Sequence, residues 1–179
     1  MERGSILMRN VKQEEFIWEK VGNIVEGRGD MGKDMPVLVY RLMQFTVLDV
    51  LSVAYDLEKA NEYFRQAGFL AGCAFAANAL NLKLEFAPFM EHLKEVLRNL
   101  KIGVLNVEYF NTDTGNFLIT VAHDLDCSGL PDINKNVCIY DEGFIAGIFK
   151  VYTEMDYDVQ EVDCWANGES ICRFSGTLI

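Results

Sequence analysis

The residues of this chain best suited to chemistry are cysteines, and four of the five, Cys127, Cys138, Cys164 and Cys172, fall in its last third. Cys164 and Cys172 flank Asn167-Gly168, a dipeptide that favours a tight turn between paired strands. Arms from Tyr157 to Ala166 and from Ser170 to Gly176 would then bring the two thiols opposite each other, on the face shared by Val162 and Phe174. Cys138 precedes a segment of helical spacing that can fold back on this hairpin and supply a third thiol. Three thiolates with one more donor make a tetrahedral site suited to zinc. Glu161, Cys127 and His123 compete for the fourth place. Glu161 stands three residues before Cys164, which puts the two on opposite faces of a regular strand, so joint ligation requires a bulge or a strand end. Burial as small apolar side chains is the competing use of such separated cysteines.

The elements that must position these groups read as helices first and strands second. A mixed amphipathic segment, Val11 to Val25, leads into a glycine-rich loop at residues 27–33. Asp34 then supplies an N-cap and Pro36 a first-turn proline for a helix to about Val53. That helix is apolar nearly all round, which predicts cover on both sides by the fold or by a second subunit. Asp56 caps a second long helix reaching about Ala79, in which Gly68, Gly72 and Ala76 recur every four residues and form a groove for another helix. Pro88 opens an amphipathic helix to about Leu100. From Ile102 the period changes to that of strands: residues 104–110 and 117–122 form a hairpin around Asp113 and Gly115. Residues 124–136 read as loop, and Asp141 to about Tyr152 as helix. The division is thus an N-terminal segment, residues 1–34, and one domain, residues 35–179, with a helical half (35–100) and a sheet half (102–179).

The chain has 179 residues, half of them hydrophobic and 24% charged, values of a single globular domain. Its net charge is −11. Residues 1–101 carry 14 acids and 13 bases, whereas residues 102–179 carry 13 acids and 3 bases. A partner reached through phosphates needs a basic face, so nucleic acid is excluded. The first ten residues contain Glu2, Arg3 and Arg9 and no apolar run of a secretory leader, which predicts a cytoplasmic protein. The longest uncharged run, Gln66 to Leu82, is polar for a membrane span and reads as a buried helix. In a reducing compartment five cysteines are not a disulfide framework, which leaves metal binding, redox chemistry or burial.

The run Cys138-Ile139-Tyr140-Asp141-Glu142-Gly143-Phe144-Ile145-Ala146-Gly147, followed by residues 161–174 (EVDCWANGESICRF), closely resembles the signature of the 4-vinyl reductase (4VR) domain family. Tyr63-Phe64-Arg65-Gln66-Ala67-Gly68 is similar to the family's tyrosine-arginine-glycine helix. The resemblance spans about residues 35 to 176 and is weakest in the N-terminal third. It implies an α/β (α+β) fold in which N-terminal helices pack on a C-terminal antiparallel sheet. That fold is shared with subunits of TRAPP trafficking complexes and, more distantly, with heme-based nitric oxide sensors. Dimers through the N-terminal helices are common among such folds. Family members include a protein associated with 4-vinyl reduction in bacteriochlorophyll synthesis and the phenol-sensing domains of bacterial transcription activators. In those sensors a zinc site is built from residues matching Cys138, Glu161, Cys164 and Cys172 here, and it buttresses a buried ligand pocket. No ATPase or DNA-binding module accompanies this sequence, so transcriptional activation is not implied.

Among the remaining candidates, Phe110, Phe117, Phe144 and Trp165, with His123, are expected to line an apolar ligand pocket. Arg41, set among Leu38, Val39, Leu42 and Phe45, reads as a buried ion-pair member or an anchor for an anionic ligand, and the acidic C-terminal half favours the ion pair. The chain shows no nucleophile elbow, no phosphate-cradling loop between strand and helix, and no nicotinamide, flavin or heme signature. A zinc ion with all four positions filled by protein is structural, because none is left for water. The sequence therefore points to a non-catalytic, dimeric, cytoplasmic domain that binds a small apolar or aromatic ligand beside a structural zinc. The competing readings are an enzyme or accessory protein of tetrapyrrole 4-vinyl reduction, and a protein-interaction scaffold of the trafficking-subunit type.

Overall fold

The computed structural model describes residues 16–179; the first part of the segment from Val11 lies outside them. A 3-10 turn, Trp18–Val21, and a single helical turn, α1 (Ile24–Gly27), lead to four longer helices: α2 (Val37–Ala54), α3 (Leu57–Ala79), α4 (Phe86–Asn99) and α5 (Ile139–Thr153). Four strands, β1 (Val104–Phe110), β2 (Phe117–Ala122), β3 (Tyr157–Asp163) and β4 (Cys172–Leu178), form one antiparallel sheet in the order β1-β2-β4-β3. Helices packed on an antiparallel sheet are the expected α+β architecture.

Local chemistry explains where most elements begin. The Asp56 carboxylate accepts the Lys59 N–H at 2.7 Å and caps α3. The turn between β1 and β2 is closed by the Asn111 side chain, which accepts from the N–H groups of Asp113 and Thr114, and Gly115 takes the positive φ that the turn requires. Three expected boundaries move. Pro36, not Asp34, is the cap residue of α2, and Asp34 instead pairs with Lys101 at 2.6 Å. Helix α4 starts at Phe86, with Pro88 inside its first turn, where a missing N–H costs nothing. Helix α5 starts at Ile139, directly after Cys138.

The small-residue stripe of α3 receives α5. Gly68 and Gly72 face Gly143 and Gly147, so that a Cβ on Gly72 would overlap the Phe144 carbonyl oxygen and one on Gly147 the Phe69 carbonyl oxygen. The backbones are in contact, and the helix propensity lost to four glycines is offset by that close approach. Beneath α5 the sheet turns inward Leu105, Phe117, Ile119, Val159 and Phe174, which close the core with Phe89, Leu93 and Phe149. Along β3 burial alternates: Tyr157, Val159 and Glu161 point in, and Asp158, Gln160 and Val162 point out. An acidic residue thus occupies an inward position.

Helix α2 departs from expectation. It packs on α3, yet most of its apolar side chains face outward: Leu38 is 68% exposed, Val50 66% and Val53 82%. The fold of one chain does not cover it on both sides. Among the described residues it is the one helix long and apolar enough to cross a membrane by length and composition, with a mean hydropathy of 1.6. Its N-terminal half is nevertheless tied down by polar bonds. Tyr40 Oη and Gln44 Nε2 each donate to Asp126 at 2.7 Å, and the Arg41 guanidinium donates to the carbonyl oxygens of Leu125 at 2.8 Å and Ser128 at 3.0 Å. Arg41 therefore serves as a clamp on loop carbonyls in place of the expected ion pair, because residues 124–128 turn their carbonyls toward α2.

Candidate metal centre

Three segments converge below the start of α5. The loop after β2 contributes Cys127, the residue before α5 contributes Cys138, and the β3–β4 connection contributes Glu161, Cys164 and Cys172. One ligand atom from each of the five lies within 4.8 Å of every other, and all five residues are buried. Cys138 Sγ is 3.9 Å from both Cys164 Sγ and Cys172 Sγ, and Cys127 Sγ is 3.0 Å from Cys172 Sγ. Sulfurs this close surround a single point and could hold one metal ion.

The pairing of β3 with β4 accounts for the convergence of Glu161 and Cys164. Glu161 pairs with Phe174 and Asp163 with Arg173, so the register shifts between them and Val162 is the extra residue. Val162 faces solvent, not the cysteines, which corrects its expected position on their face. After this irregularity the strand ends, and Cys164 turns inward at the head of the 3-10 turn Trp165–Asn167. The odd offset of three is thereby reconciled with one shared side. Gly168, at φ +97°, closes the turn.

Hydrogen bonds position each donor. Glu161 Oε2 accepts the Cys138 N–H at 3.0 Å, and Glu142 Oε1 accepts the Glu161 N–H at 2.9 Å. Asp124 Oδ1 accepts the N–H groups of Asp126 at 2.8 Å and Cys127 at 3.1 Å, which turns Cys127 into the cluster. Cys164 N–H donates to Asn167 Oδ1. Glu161 Oε1 is buried and has no hydrogen-bond partner.

The electrostatics of the site call for a cation. The neighbouring thiols of Cys127, Cys138 and Cys172 hold Cys164 far below the ordinary thiol range, while those of Cys127, Cys164 and Cys172 push Cys138 far above it. Burial raises the Glu161 carboxyl to about 8. Burial, then the Asp124 charge, raises Asp126 to about 6, and Asp141 is raised by burial and by both of these carboxylates. Buried acids and thiols gathered this tightly cannot all ionise by themselves, and a divalent ion supplies the missing positive charge. The donor set and the unpartnered Glu161 oxygen both fit a metal.

Of the residues expected to make a ligand pocket, only Phe144 lines the enclosed cavity, a space of about 30 Å³ that also touches Leu93, Ile119, Ile148, Asp124 and Asp141. Phe117 is packed on Phe149 in the core, Phe110 stacks on Phe86, and Trp165 lies at the surface, donating its Nε1–H to the Leu130 carbonyl. His123 is exposed at the end of β2, in the left-handed region at φ +55°, beside Arg98 and Lys101. It stands outside the thiol cluster. A larger apolar groove, about 480 Å³, runs between α2 and α3 and is lined by Tyr40, Met43, Val47, Tyr63, Phe64 and Tyr140. Sequence reasoning missed this groove, whose walls come from two helices read as core; the aromatic spacing of Tyr63-Phe64 was its only trace.

Helices on a four-stranded antiparallel sheet, with an inward-facing cysteine and glutamate cluster where α5 meets the β3–β4 turn, define an α+β domain of the 4-vinyl reductase type. Residues 117–178 match the family model of the 4-vinyl reductase (4VR) domain, and the chain carries a domain of that family there. It is 27% identical over 151 residues to the uncharacterized protein MJ1642 of Methanocaldococcus jannaschii, covering 84% of this chain and 82% of that one. Among solved structures it is similar to a vinyl-4-reductase family protein from M. jannaschii, with a TM-score of 0.61 and 14% identity over 98% of this chain and 99% of the other. The phenol-responsive sensory domain of the transcription activator PoxR matches with a TM-score of 0.60 and 13% identity, over 80% of this chain and 75% of that one. A trafficking protein particle complex subunit 3 from Naegleria fowleri, covalently bound to palmitic acid, matches with a TM-score of 0.57 and 18% identity, over 80% and 94%. At these identities the structural matches establish the shared fold.

Proposed function

We propose that this chain is a non-catalytic, cytoplasmic domain that binds a small apolar or aromatic molecule and is held together by a structural zinc ion. The observation that carries the reading is the convergence of Cys127, Cys138, Glu161, Cys164 and Cys172 within 4.8 Å of one another beside an apolar interior. Thiolate-rich tetrahedral sites favour zinc, and Zn–S bonds of about 2.3 Å place bound sulfurs about 3.8 Å apart, close to the 3.9 Å that separates Cys138 from Cys164 and from Cys172. Donors that outnumber the four positions of the ion leave none for water, which supports a structural role. The zinc, once bound, would neutralise the thiolates and fix the β3–β4 turn against the start of α5.

The ligand seat best supported is the groove between α2 and α3. Its roughly 480 Å³ has room for an aromatic ring, whereas the enclosed 30 Å³ holds no more than a water or two. Tyrosine hydroxyls at an otherwise apolar wall suit a ligand with one polar group, in keeping with a fold found in a phenol-responsive domain and in a palmitate-bound subunit. The exposed apolar face of α2 supports a homodimer in which a second copy closes this groove.

Elemental analysis of protein purified without added metal is expected to give one zinc per chain, lost together with thermal stability in Cys164→Ser, since structural zinc sites contribute on the order of 10 kcal/mol to folding. An unchanged melting temperature in that variant, or metal-free folded protein, would overturn the zinc reading. For the ligand, native mass spectrometry with added phenol is expected to show a complex that Ala67→Trp, which fills the groove, abolishes. Binding undiminished by that substitution would place the seat elsewhere.

A further inference from the structure

We propose that Cys127 is the fourth zinc ligand in this chain, giving a four-thiolate site in which Glu161 supports the ligands instead of binding the ion, and that the metal thereby anchors the loop to which α2 is tied. The inference rests on the zinc reading above and adds to it the identity of the ligands and the reach of the site.

Five donors compete for four positions, and their chemistry differs. A zinc ion offered four thiolates and one carboxylate is better matched by the sulfurs, which are the softer donors. The geometry favours the same choice. Cys127 is fully buried, and its Sγ lies 3.0 Å from Cys172 Sγ, the tightest sulfur contact in the cluster. Its direction is set by Asp124, whose Oδ1 accepts both the Asp126 and the Cys127 N–H groups. Nothing in that turn needs a cysteine; a turn built this way would form with any residue at 127. Glu161, by contrast, already spends Oε2 on the Cys138 N–H at 3.0 Å, while its own N–H is held by Glu142. A carboxylate that orients the backbone of a ligating residue is an outer-shell arrangement. Its unpartnered Oε1 defines the rival arrangement, three sulfurs and one oxygen.

Ligation by Cys127 would carry the effect of the metal into the helical half. Residues 124–128 receive α2 through Tyr40 and Gln44 on Asp126 and through Arg41 on the Leu125 and Ser128 carbonyls. These bonds are what α2 has besides its packing on α3, because its remaining surface is largely exposed. A loop pinned at Cys127 holds that clamp rigid. A loop released there leaves the ligand groove, one wall of which is α2, without its anchor.

X-ray absorption at the zinc edge of the protein as purified distinguishes the two arrangements. Four sulfurs at about 2.3 Å and no light atom are expected, whereas three sulfurs with an oxygen at about 2.0–2.2 Å would overturn the proposal. Glu161→Gln keeps an acceptor for the Cys138 N–H, and its zinc content and spectrum should match wild type; loss of zinc in that variant also overturns it. Cys127→Ala should admit an oxygen to the zinc shell and speed amide exchange in residues 37–54 by tenfold or more, with exchange in the β-sheet core much less affected. If Cys127→Ala fails to fold, the wild-type and Glu161→Gln spectra decide by themselves. Folded wild-type protein lacking zinc would instead sink the structural-zinc reading, an outcome the elemental analysis reports separately.

Discussion

Glu142 in the first turn of α5 reaches across to Glu161 in β3, its Oε1 accepting the Glu161 N–H at 2.9 Å while its Oε2 takes the Arg65 Nε–H at 3.0 Å from α3. One buried carboxylate thus joins two helices and the strand that bears the metal-site glutamate.

Arg65→Ala should leave that carboxylate buried without its counter-charge. Breaking a buried pair costs about 3–5 kcal/mol, and because Arg65 itself is nearly half exposed, about 2 kcal/mol is expected here. Glu142→Ala should cost more, since it also strands the Glu161 N–H. Urea denaturation of the two variants checks the order; equal losses would mean that the contact with β3 contributes nothing.

Gly72→Ala tests the contact between α3 and α5. The added methyl would meet the Phe144 carbonyl, which belongs to helix backbone and cannot swing away. A loss of about 3 kcal/mol or failure to fold is expected, against a gain near 1 kcal/mol if only helix propensity mattered. The sign of the change in melting temperature decides.

Alkaline pH should weaken the fold through Tyr140. Burial, followed by the Asp141 and Asp126 carboxylates, raises its hydroxyl to about 12, and Tyr40 is raised for related reasons. A folded-state value above the unfolded value near 10 means that the native state keeps a proton the unfolded chain gives up. Stability should accordingly be full below pH 10 and fall as pH rises from 10 toward 12. Tyrosinate absorbance should show two residues titrating only as the protein unfolds, and Tyr140→Phe should flatten part of the stability loss.

The exposed face of α2 should govern self-association. Val50→Asp puts a charge on that face without touching the Tyr40, Arg41 and Gln44 clamp. Sedimentation velocity is expected to show a dimer for the wild type and a monomer for the variant. A wild-type monomer at micromolar concentration would refute the dimer proposal.

Much of this fold is readable along the chain because its cues are local. The Asp56 cap, the Asn111 to Gly115 turn, the alternation of β3 and the four-residue recurrence of Gly68, Gly72 and Ala76 each depend on neighbours a few residues away. The same locality made Cys138, Glu161, Cys164 and Cys172 visible, since three lie within 12 residues and the fourth begins the preceding helix. What no local pattern carries is where separate segments meet. The aromatic residues expected to share a pocket are dispersed through core, sheet end and surface, because period places a side chain on a face but does not say which element that face will meet. His123 leaves the site because the backbone enters the left-handed region after β2 and turns it to solvent. Cys127 enters it because an aspartate three residues earlier folds its loop under α5, 45 residues from the cysteine it touches. The ligand types were thus set by the sequence itself, whereas their number, and the clamp that ties α2 to them, are products of tertiary packing, which alone brings distant backbone within reach of a single ion.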